Sequence, residues 1–365
     1  PDVQAVGGQG SAVINTLRGI GWNNENTAQY NWDINEKHSM IILGGASFQK
    51  YRGENSLIRA FGITSDATTF NNLGLSADPT RTIVGTGVDA FQIVSFFGRI
   101  NYTFNKKYLF TLVGRSDGSS RFAEGNKYAF FPSAAFAWKL SEEGFIKKLN
   151  VFSDLKLRVS YGKAGSQAID SYRTLALMET AFTSYNGVNT AGSTLGRPSN
   201  PKLKWETTKQ FDLALEASFF KGRLSTEINY YSKVTSDLLL DVRIPRQSGF
   251  ESQLQNLGKL QNRGLDILIN STNISKKDFK WTTTLTLSGN RNKVLDLAGV
   301  NYIDLVFPNG LTGSPARLVV GQSAPLFVGL NYLGTWKNQA DITASGQTGM
   351  IVGGPRYEDP NGDGK

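Results

Sequence analysis

The chain has 365 residues, with 39 Lys and Arg against 30 Asp and Glu for a formal charge of +9, no cysteine and a single histidine, His38. Those counts exclude a disulfide framework, a thiolate zinc site, a thiol nucleophile and any His-clustered metal site. No apolar run reaches the roughly 18 residues of a transmembrane helix, and the apolar and glycine content is too high for a disordered chain.

Helical periodicity is scarce and alternation is everywhere. Strands are expected over 26–34, 38–51, 92–104, 107–116, 129–140, 153–163, 205–220, 222–236, 262–274, 278–291 and 327–337. Within them, Phe96, Ile100, Tyr102 and Phe104 face away from Ser95, Arg99, Asn101 and Thr103. Leu155, Leu157, Val159 and Tyr161 oppose Lys156, Arg158 and Ser160, and Phe211, Leu213 and Leu215 oppose Asp212 and Glu216. Leu224, Ile228 and Tyr230 oppose Glu227 and Asn229, and Trp281, Leu285 and Leu287 oppose Thr282, Thr284 and Thr286. A period of two with one apolar face is the mark of a half-covered strand.

Alternation alone fits either a soluble sandwich, with the apolar face inward, or a membrane barrel, with that face toward lipid. Two features favour the barrel. Most of the expected strands exceed the usual five or six residues and match the roughly 9–11 that cross a bilayer at a tilt. Connections also alternate: Asn35-Glu36-Lys37, Asn105-Lys106, Lys221 and Ser275-Lys276-Lys277 are short, while 52–91, 117–128, 164–204, 237–261 and 292–326 are long, with 141–152 intermediate. An up-and-down barrel has tight periplasmic turns and long outer loops. Tyr30, Trp32, Tyr51, Tyr102, Tyr108, Trp138, Trp205, Tyr230, Tyr231 and Trp281 near strand ends fit interfacial girdles or ordinary strand composition. Eleven strands is an odd count for a closed barrel from one bacterial chain, so an incomplete barrel is expected.

Several runs resemble one family. Gly98-Arg99-Ile100-Asn101-Tyr102-Thr103-Phe104 with Lys107-Tyr108-Leu109 is followed by Arg115-Ser116-Asp117-Gly118-Ser119-Ser120-Arg121-Phe122. Phe131-Pro132-Ser133, Ala137-Trp138, Leu155-Lys156-Leu157-Arg158-Val159-Ser160-Tyr161-Gly162, Asn262-Arg263-Gly264-Leu265-Asp266 and Asp359-Pro360-Asn361-Gly362-Asp363-Gly364-Lys365 complete the set. In this order they are similar to the SusC/RagA family of TonB-dependent outer-membrane transporters of Bacteroidota. The resemblance implies an all-β, transmembrane antiparallel up-and-down barrel, of which 1–365 is one partial domain, about half of 22 strands. The plug and the carboxypeptidase-like domain are expected to lie outside it, and the missing signal pattern at Pro1-Asp2-Val3 reads as truncation.

The implied function is import of oligosaccharides or peptides, with a SusD-like surface lipoprotein as lid and the TonB complex as energy source, in contact with outer-membrane lipid. A SusC-like scaffold without transport, a passive porin and a soluble β-sandwich adhesin are the competing readings. No enzymatic activity is expected. His38 reads as a rim residue with no nucleophile signalled beside it, and no Asp/Glu pair stands out for glycoside hydrolysis. Gly7-Gly8-Gln9-Gly10 lacks the strand–helix context of a phosphate cradle.

Asp359, Asn361 and Asp363 form a candidate calcium loop of the D-x-N-x-D-G kind, against the plainer reading of a polar turn. With eleven strands this segment would follow a downward strand and be periplasmic. Arg115–Arg121 reads either as a plug, lid or substrate contact or, preferably, as a self-bonded turn with Asp117-Gly118 at its tight positions and Asp117 paired to an Arg. The long loops are the expected sites of lid and substrate contact. Arg99, Asn101, Lys156, Arg158, Asp212, Glu216, Glu227 and Asn229 are expected to face the lumen. Lysines gather in short turns rather than along one groove, which disfavours nucleic acid, and the +9 reads as an ordinary basic surface.

Overall fold

In the computed structural model, residues 10–63, 67, 70–185, 188–305 and 316–359 are described. The chain divides into two compact units, Pro1–Arg291 and Asn292–Lys365.

The first unit is built on one antiparallel sheet. Its strands in chain order are β1 (Gly10–Asn35), β2 (His38–Ile63), β3 (Asp78–Phe104), β4 (Tyr108–Ser119), β5 (Tyr128–Lys139) and β6 (Phe152–Ser166). A separate hairpin, β7 (Leu177–Tyr185) with β8 (Val188–Arg197), precedes β9 (Glu206–Phe219) and β10 (Leu224–Ser236). A second hairpin, β11 (Leu239–Arg243) with β12 (Ser252–Asn256), precedes β13 (Lys259–Ser275) and β14 (Lys280–Asp296). Strand order in the sheet is β1-β2-β3-β4-β5-β6-β9-β10-β13-β14, so each strand pairs with the nearest sheet strand in sequence and none crosses over. That is the up-and-down order which the connection lengths imply.

Two expectations change. The sheet has ten strands rather than eleven, because 327–337 does not join it; Leu326–Phe327 and Tyr332–Thr335 are short pieces of two other sheets. Gly334, at φ 109°, leaves the extended conformation within that run. The first strands are also far longer than 26–34, 38–51 and 92–104. A strand of 26 residues, as in β1 and β2, rises about 85 Å at roughly 3.3 Å per residue. That is about twice the tilted path across a hydrocarbon core roughly 30 Å thick, so these strands continue well past the membrane at the long-connection end.

Pairing register extends the alternation across the whole sheet. One row runs Trp32, Met40, Tyr102, Phe110, Phe136, Val159, Leu213, Tyr230, Leu265, each residue directly opposite the next. The adjacent row on the other face runs Asn31, Ile41, Asn101, Thr111, Ala135, Ser160, Asp212, Tyr231, Gly264. The apolar face is not covered by a second layer: Ile100, Phe110 and Leu112 are 42 %, 43 % and 57 % exposed. A sandwich would bury these side chains against a facing sheet; in a barrel they meet lipid. At the short-connection end the same face carries an aromatic row, with His38, Phe104, Tyr108 and Trp138 at centroid separations of 4.9, 6.0 and 6.1 Å in turn. Amphipathic rings favour such an interfacial level.

Short and long connections are made differently. At the first short turn the Asn35 carboxamide oxygen accepts from the N–H groups of Lys37 and His38 at 2.9 and 3.1 Å, a side chain standing in for a backbone turn. Asn105 and Lys106 take φ of 52° and 54° in the next, the left-handed conformation that tight hairpins need. At the other end Phe122, Phe131, Ile169, Leu203 and Trp205 form a buried cluster with Ala129, Leu239 and Leu254 packed against it.

In the second unit, Tyr302–Leu305 (β15), Ala316–Val319 (β16) and Leu326–Phe327 (β17) make a small sheet, and Tyr332–Thr335 (β18) pairs with Pro355–Tyr357 (β19). Trp336 is buried under the guanidinium of Arg356, 4.8 Å from the ring centre. Between β18 and β19 lies a short helix, Gln339–Ser345, whose N-cap Asn338 accepts from the Asp341 N–H at 2.8 Å.

Candidate functional site

The polar face of the sheet is an ion-paired wall. Lys156 Nζ lies 2.6 Å from Glu216 Oε2, Arg158 Nε lies 2.5 Å from Glu216 Oε1, and Arg158 Nη2 lies 2.6 Å from Glu227 Oε1. Glu216 and Glu227 are directly opposite across β9 and β10. Two carboxylates so placed repel, and the Arg158 fork joins them. Asp212 accepts from Gln210 at 2.8 Å and from Ser160 at 3.3 Å, Thr111 donates to Asn101 at 2.9 Å, and Ser288 donates to Asp266. Arg99, Asn101, Lys156, Arg158, Asp212, Glu216, Glu227 and Asn229 all fall on this face by register, as the alternation implies. These side chains remain 26 % to 43 % exposed, so each pair contributes little stability in water. Their collective effect is a wettable surface that can pass or hold polar groups.

Aromatic rings lie over glycines on the same wall. A Cβ at Gly264 would stand 2.5 Å from the Gly289 carbonyl oxygen and 2.5 Å from Tyr231 Oη. Only glycine lets β13 sit between the Tyr231 ring and the backbone of β14. Tyr231 therefore belongs to the polar face, and Tyr51, packed against Gly19 and Gly53, is placed by β2 register on that face too. Trp205 is in the buried loop cluster. The expected girdle loses these three and keeps Tyr30, Trp32, Tyr102, Tyr108, Trp138, Tyr230 and Trp281.

The long-connection end is fastened by backbone capture. Trp205 Nε1 donates to the Lys127 carbonyl at 2.9 Å, Asn200 donates to the Leu254 carbonyl at 2.8 Å, and Asn256 donates to the Lys204 and Asp237 carbonyls at 2.7 and 2.9 Å. Three connections, 120–127, 167–205 and 237–258, are thereby tied into one platform. Arg121, ending the Arg115–Arg121 run, stacks 4.1 Å over Phe91 and reaches the Gln167 carbonyl at 3.3 Å. Arg115 pairs with Asp117 at 2.7 Å, as expected, but Asp117-Gly118 is not the turn: both residues are still in β4, opposite Ala129 and Tyr128. The chain turns after Ser119. Phe122, Ile169 and Leu203 were not foreseen as a unit; the signal available was an apolar residue directly after Arg121 in an otherwise polar loop.

At the short-connection end Glu143 accepts from Tyr108 Oη at 2.8 Å, Trp138 Nε1 at 3.1 Å and Lys107 Nζ at 3.1 Å. The Tyr108 hydrogen bond first, then those from Lys107 and Trp138, hold its carboxyl below the ordinary glutamate value. This clamp fixes the 140–151 link, with its helix Gly144–Lys147, against the aromatic row. His38 is at the same rim, with Nδ1 2.6 Å from Tyr102 Oη. Of the candidate calcium loop, Asn361 and Asp363 lie outside the described residues, and among the described residues no group of three or more His, Cys, Asp or Glu could hold a metal. Its expected periplasmic position depended on an eleventh strand, which the sheet does not contain.

The profile of the family described as TonB dependent receptor-like, beta-barrel, matches residues 4–365. TonB-dependent receptor P26 of Formosa agariphila is 55% identical over 365 residues, covering 100% of this chain and 37% of that protein. TonB-dependent receptor SusC of Bacteroides thetaiotaomicron is 41% identical over 213 residues, 57% of this chain and 21% of SusC. The solved RagAB peptide transporter superposes with a TM-score of 0.78 at 29% identity, over 97% of this chain and 37% of the matched one. The chain thus spans under two fifths of the length of the relatives it matches.

Proposed function

The chain belongs to the TonB-dependent receptor-like β-barrel family of the outer membrane, and from that premise we propose that it forms part of the wall of a SusC/RagA-type importer that takes up oligosaccharides or peptides. The carrying observation is the two-faced sheet. One face is apolar and uncovered from Trp32 to Leu265, while the other is lined by paired charges and amides. Such a sheet separates lipid from a polar passage. Loops tied into a platform at the long-connection end give a fixed surface on which a SusD-like lipoprotein lid can close. The energy source is the TonB complex, acting through the rest of the protein.

The kinship to a peptide transporter and to SusC leaves two substrate classes, and one experiment separates them. The full-length protein, purified with its lipoprotein partner, is titrated by calorimetry with mixed oligosaccharides and with mixed peptides. Saturable heat with one class, together with cellular uptake that stops when TonB is removed, is the expected result. TonB-independent passage of small solutes through the full-length protein in planar bilayers would overturn the reading in favour of a pore.

A further inference from the structure

Lysines that are scattered in sequence become neighbours at one rim. The four short connections and the intermediate link at this end, residues 36–37, 105–107, 140–151, 220–223 and 276–279, taken with the flanking strand residues Lys139 and Lys280, contain eleven Lys and Arg against four Asp and Glu, a net +7. The fold sets them side by side along one edge of the sheet. The Asn105 N–H donates to the Lys37 carbonyl at 2.6 Å, the Lys139 N–H to the Lys107 carbonyl at 2.9 Å, and the Thr272 N–H to the Arg223 carbonyl at 2.7 Å. Two of the acids are already engaged, Glu143 by Lys107 and Glu142 by Lys147. Lys37, Lys106, Lys148, Lys221, Lys276, Lys277 and Lys280 are exposed and have no carboxylate within salt-bridge distance among the described residues.

Apolar side chains are interleaved with these cations. Phe145, Leu149, Val151, Phe220 and Phe279 are 60 %, 57 %, 55 %, 72 % and 58 % exposed. The row of His38, Phe104, Tyr108 and Trp138 runs along the same end. Aromatic rings at the interface, apolar side chains beside them and long cationic side chains at the outer edge are the arrangement that a headgroup layer accommodates. The rings and stems lie at the acyl boundary and the ammonium groups reach the phosphates. An array of unpaired positive charge favours headgroups of net negative charge over zwitterionic ones.

We propose that this rim is a binding belt for anionic phospholipid of the leaflet it faces, which for short barrel turns is the periplasmic one. Phosphatidylglycerol is the probe. The belt draws such lipids to the barrel wall and sets the height of the sheet in the membrane. A soluble acidic protein is the competing occupant, and the interleaved Phe145, Leu149, Phe220 and Phe279 favour lipid, because a rim in contact with water alone would expose them at a cost.

The test uses the full-length protein in detergent, supplied with equal phosphatidylglycerol and phosphatidylethanolamine, with retained lipid counted by native mass spectrometry. The rim variant carries Lys106→Gln, Lys221→Gln, Lys276→Gln and Lys277→Gln. A second variant carries Lys→Arg at the same four positions, and a third removes charge at the other end through Arg52→Gln, Arg173→Gln, Lys202→Gln and Arg246→Gln. Heat-modifiable migration on gels checks that each is folded. The parent is expected to enrich phosphatidylglycerol about threefold or more, with the enrichment falling in high salt. The Lys→Gln rim variant is expected to approach parity, while the other two keep the enrichment. Equal retention of the two lipids by the parent, or an undiminished preference in the Lys→Gln rim variant, would overturn the proposal. So would a rim variant that keeps its lipid preference and loses only capture of a soluble acidic protein.

Discussion

The two ends of the sheet solve the same problem, closing a pair of strands, by opposite physics. At the short-connection end the tight turns are closed by their own residues: the Asn35 side chain bonds Lys37 and His38 locally, and Asn105 and Lys106 take the left-handed conformation. At the long-connection end closure is non-local. Phe122, Ile169, Leu203 and Trp205, from connections 83 residues apart at the extremes, exclude water together, and amides from Asn200 and Asn256 capture carbonyls far along the chain. The short end is therefore held by many small local terms and the long end by one cooperative core. The lesson is that loops on such a barrel form one cooperative platform, seated on the sheet through Phe131 and Ala129 of β5.

The largest expected effect removes that core. Phe122, 1 % exposed, loses its ring in Phe122→Ala, which costs about 3–5 kcal/mol for a buried aromatic. The loss is expected to appear as faster hydrogen exchange and proteolysis across 167–205 and 237–258, with 36–37 and 105–107 unchanged. Equal loosening at both ends would break the distinction. A smaller effect strikes the sheet that the ends share. Leu112→Arg puts a charge on the uncovered apolar face, at roughly 2–4 kcal/mol if that position is near the bilayer midplane, measured as a lowered denaturant midpoint for unfolding from vesicles.

On the polar face, Arg158→Ala leaves Glu216 and Glu227 opposite one another with only Lys156 to balance them. Because the partners are partly open to water, Arg158 and Glu227 the more so, the loss is about 1 kcal/mol and is expected to shrink with added salt. Thermal midpoints at low and high ionic strength read it. The smallest effect sharpens the view of the short end. Glu143 has its carboxyl held below the ordinary glutamate value by Tyr108, Lys107 and Trp138. Its contribution is thus complete above about pH 4.5 and is lost as pH falls through the depressed value. The 140–151 link is expected to stay docked at pH 5 and to loosen in stronger acid, seen as a change in Trp138 fluorescence, whereas Glu143→Gln abolishes that acid transition.

Legibility in the sequence follows the same division. Alternation such as Leu155-Lys156-Leu157-Arg158-Val159 located the strand faces, since period two is a property of the backbone itself, and Arg158, Glu216 and Glu227 fell on the face expected. Local turns were visible because their signals sit within three residues. Strand ends were not: β1 to β3 run on past the expected bounds through stretches such as Leu17 to Trp22 and Ile83 to Val88, where apolar and polar residues mix on both faces and no regular alternation marks the continuing strand. Trp205 was misplaced because a tryptophan at a strand end reads alike as a girdle residue or a loop anchor until Phe122 and Lys127 are brought to it. Asp117-Gly118 looked like a turn by composition, yet pairing with Ala129 and Tyr128 overrode that preference. The lysine belt was hidden for the same reason as the loop core: its members lie between positions 37 and 280 and meet only in the folded sheet.

The claim on which everything else depends is that the row from Trp32 to Leu265 meets lipid while the row from Asn31 to Gly264 meets water. This chain has no cysteine, which permits single cysteines to be placed at Phe110, Thr111, Leu112 and Val113 of the full-length protein, spin-labelled and reconstituted in vesicles. Labels at 110 and 112 are expected to be relaxed by dissolved oxygen and shielded from a water-soluble nickel chelate, with 111 and 113 showing the reverse. Uniform accessibility along the four positions, or the opposite phase, would contradict the barrel wall.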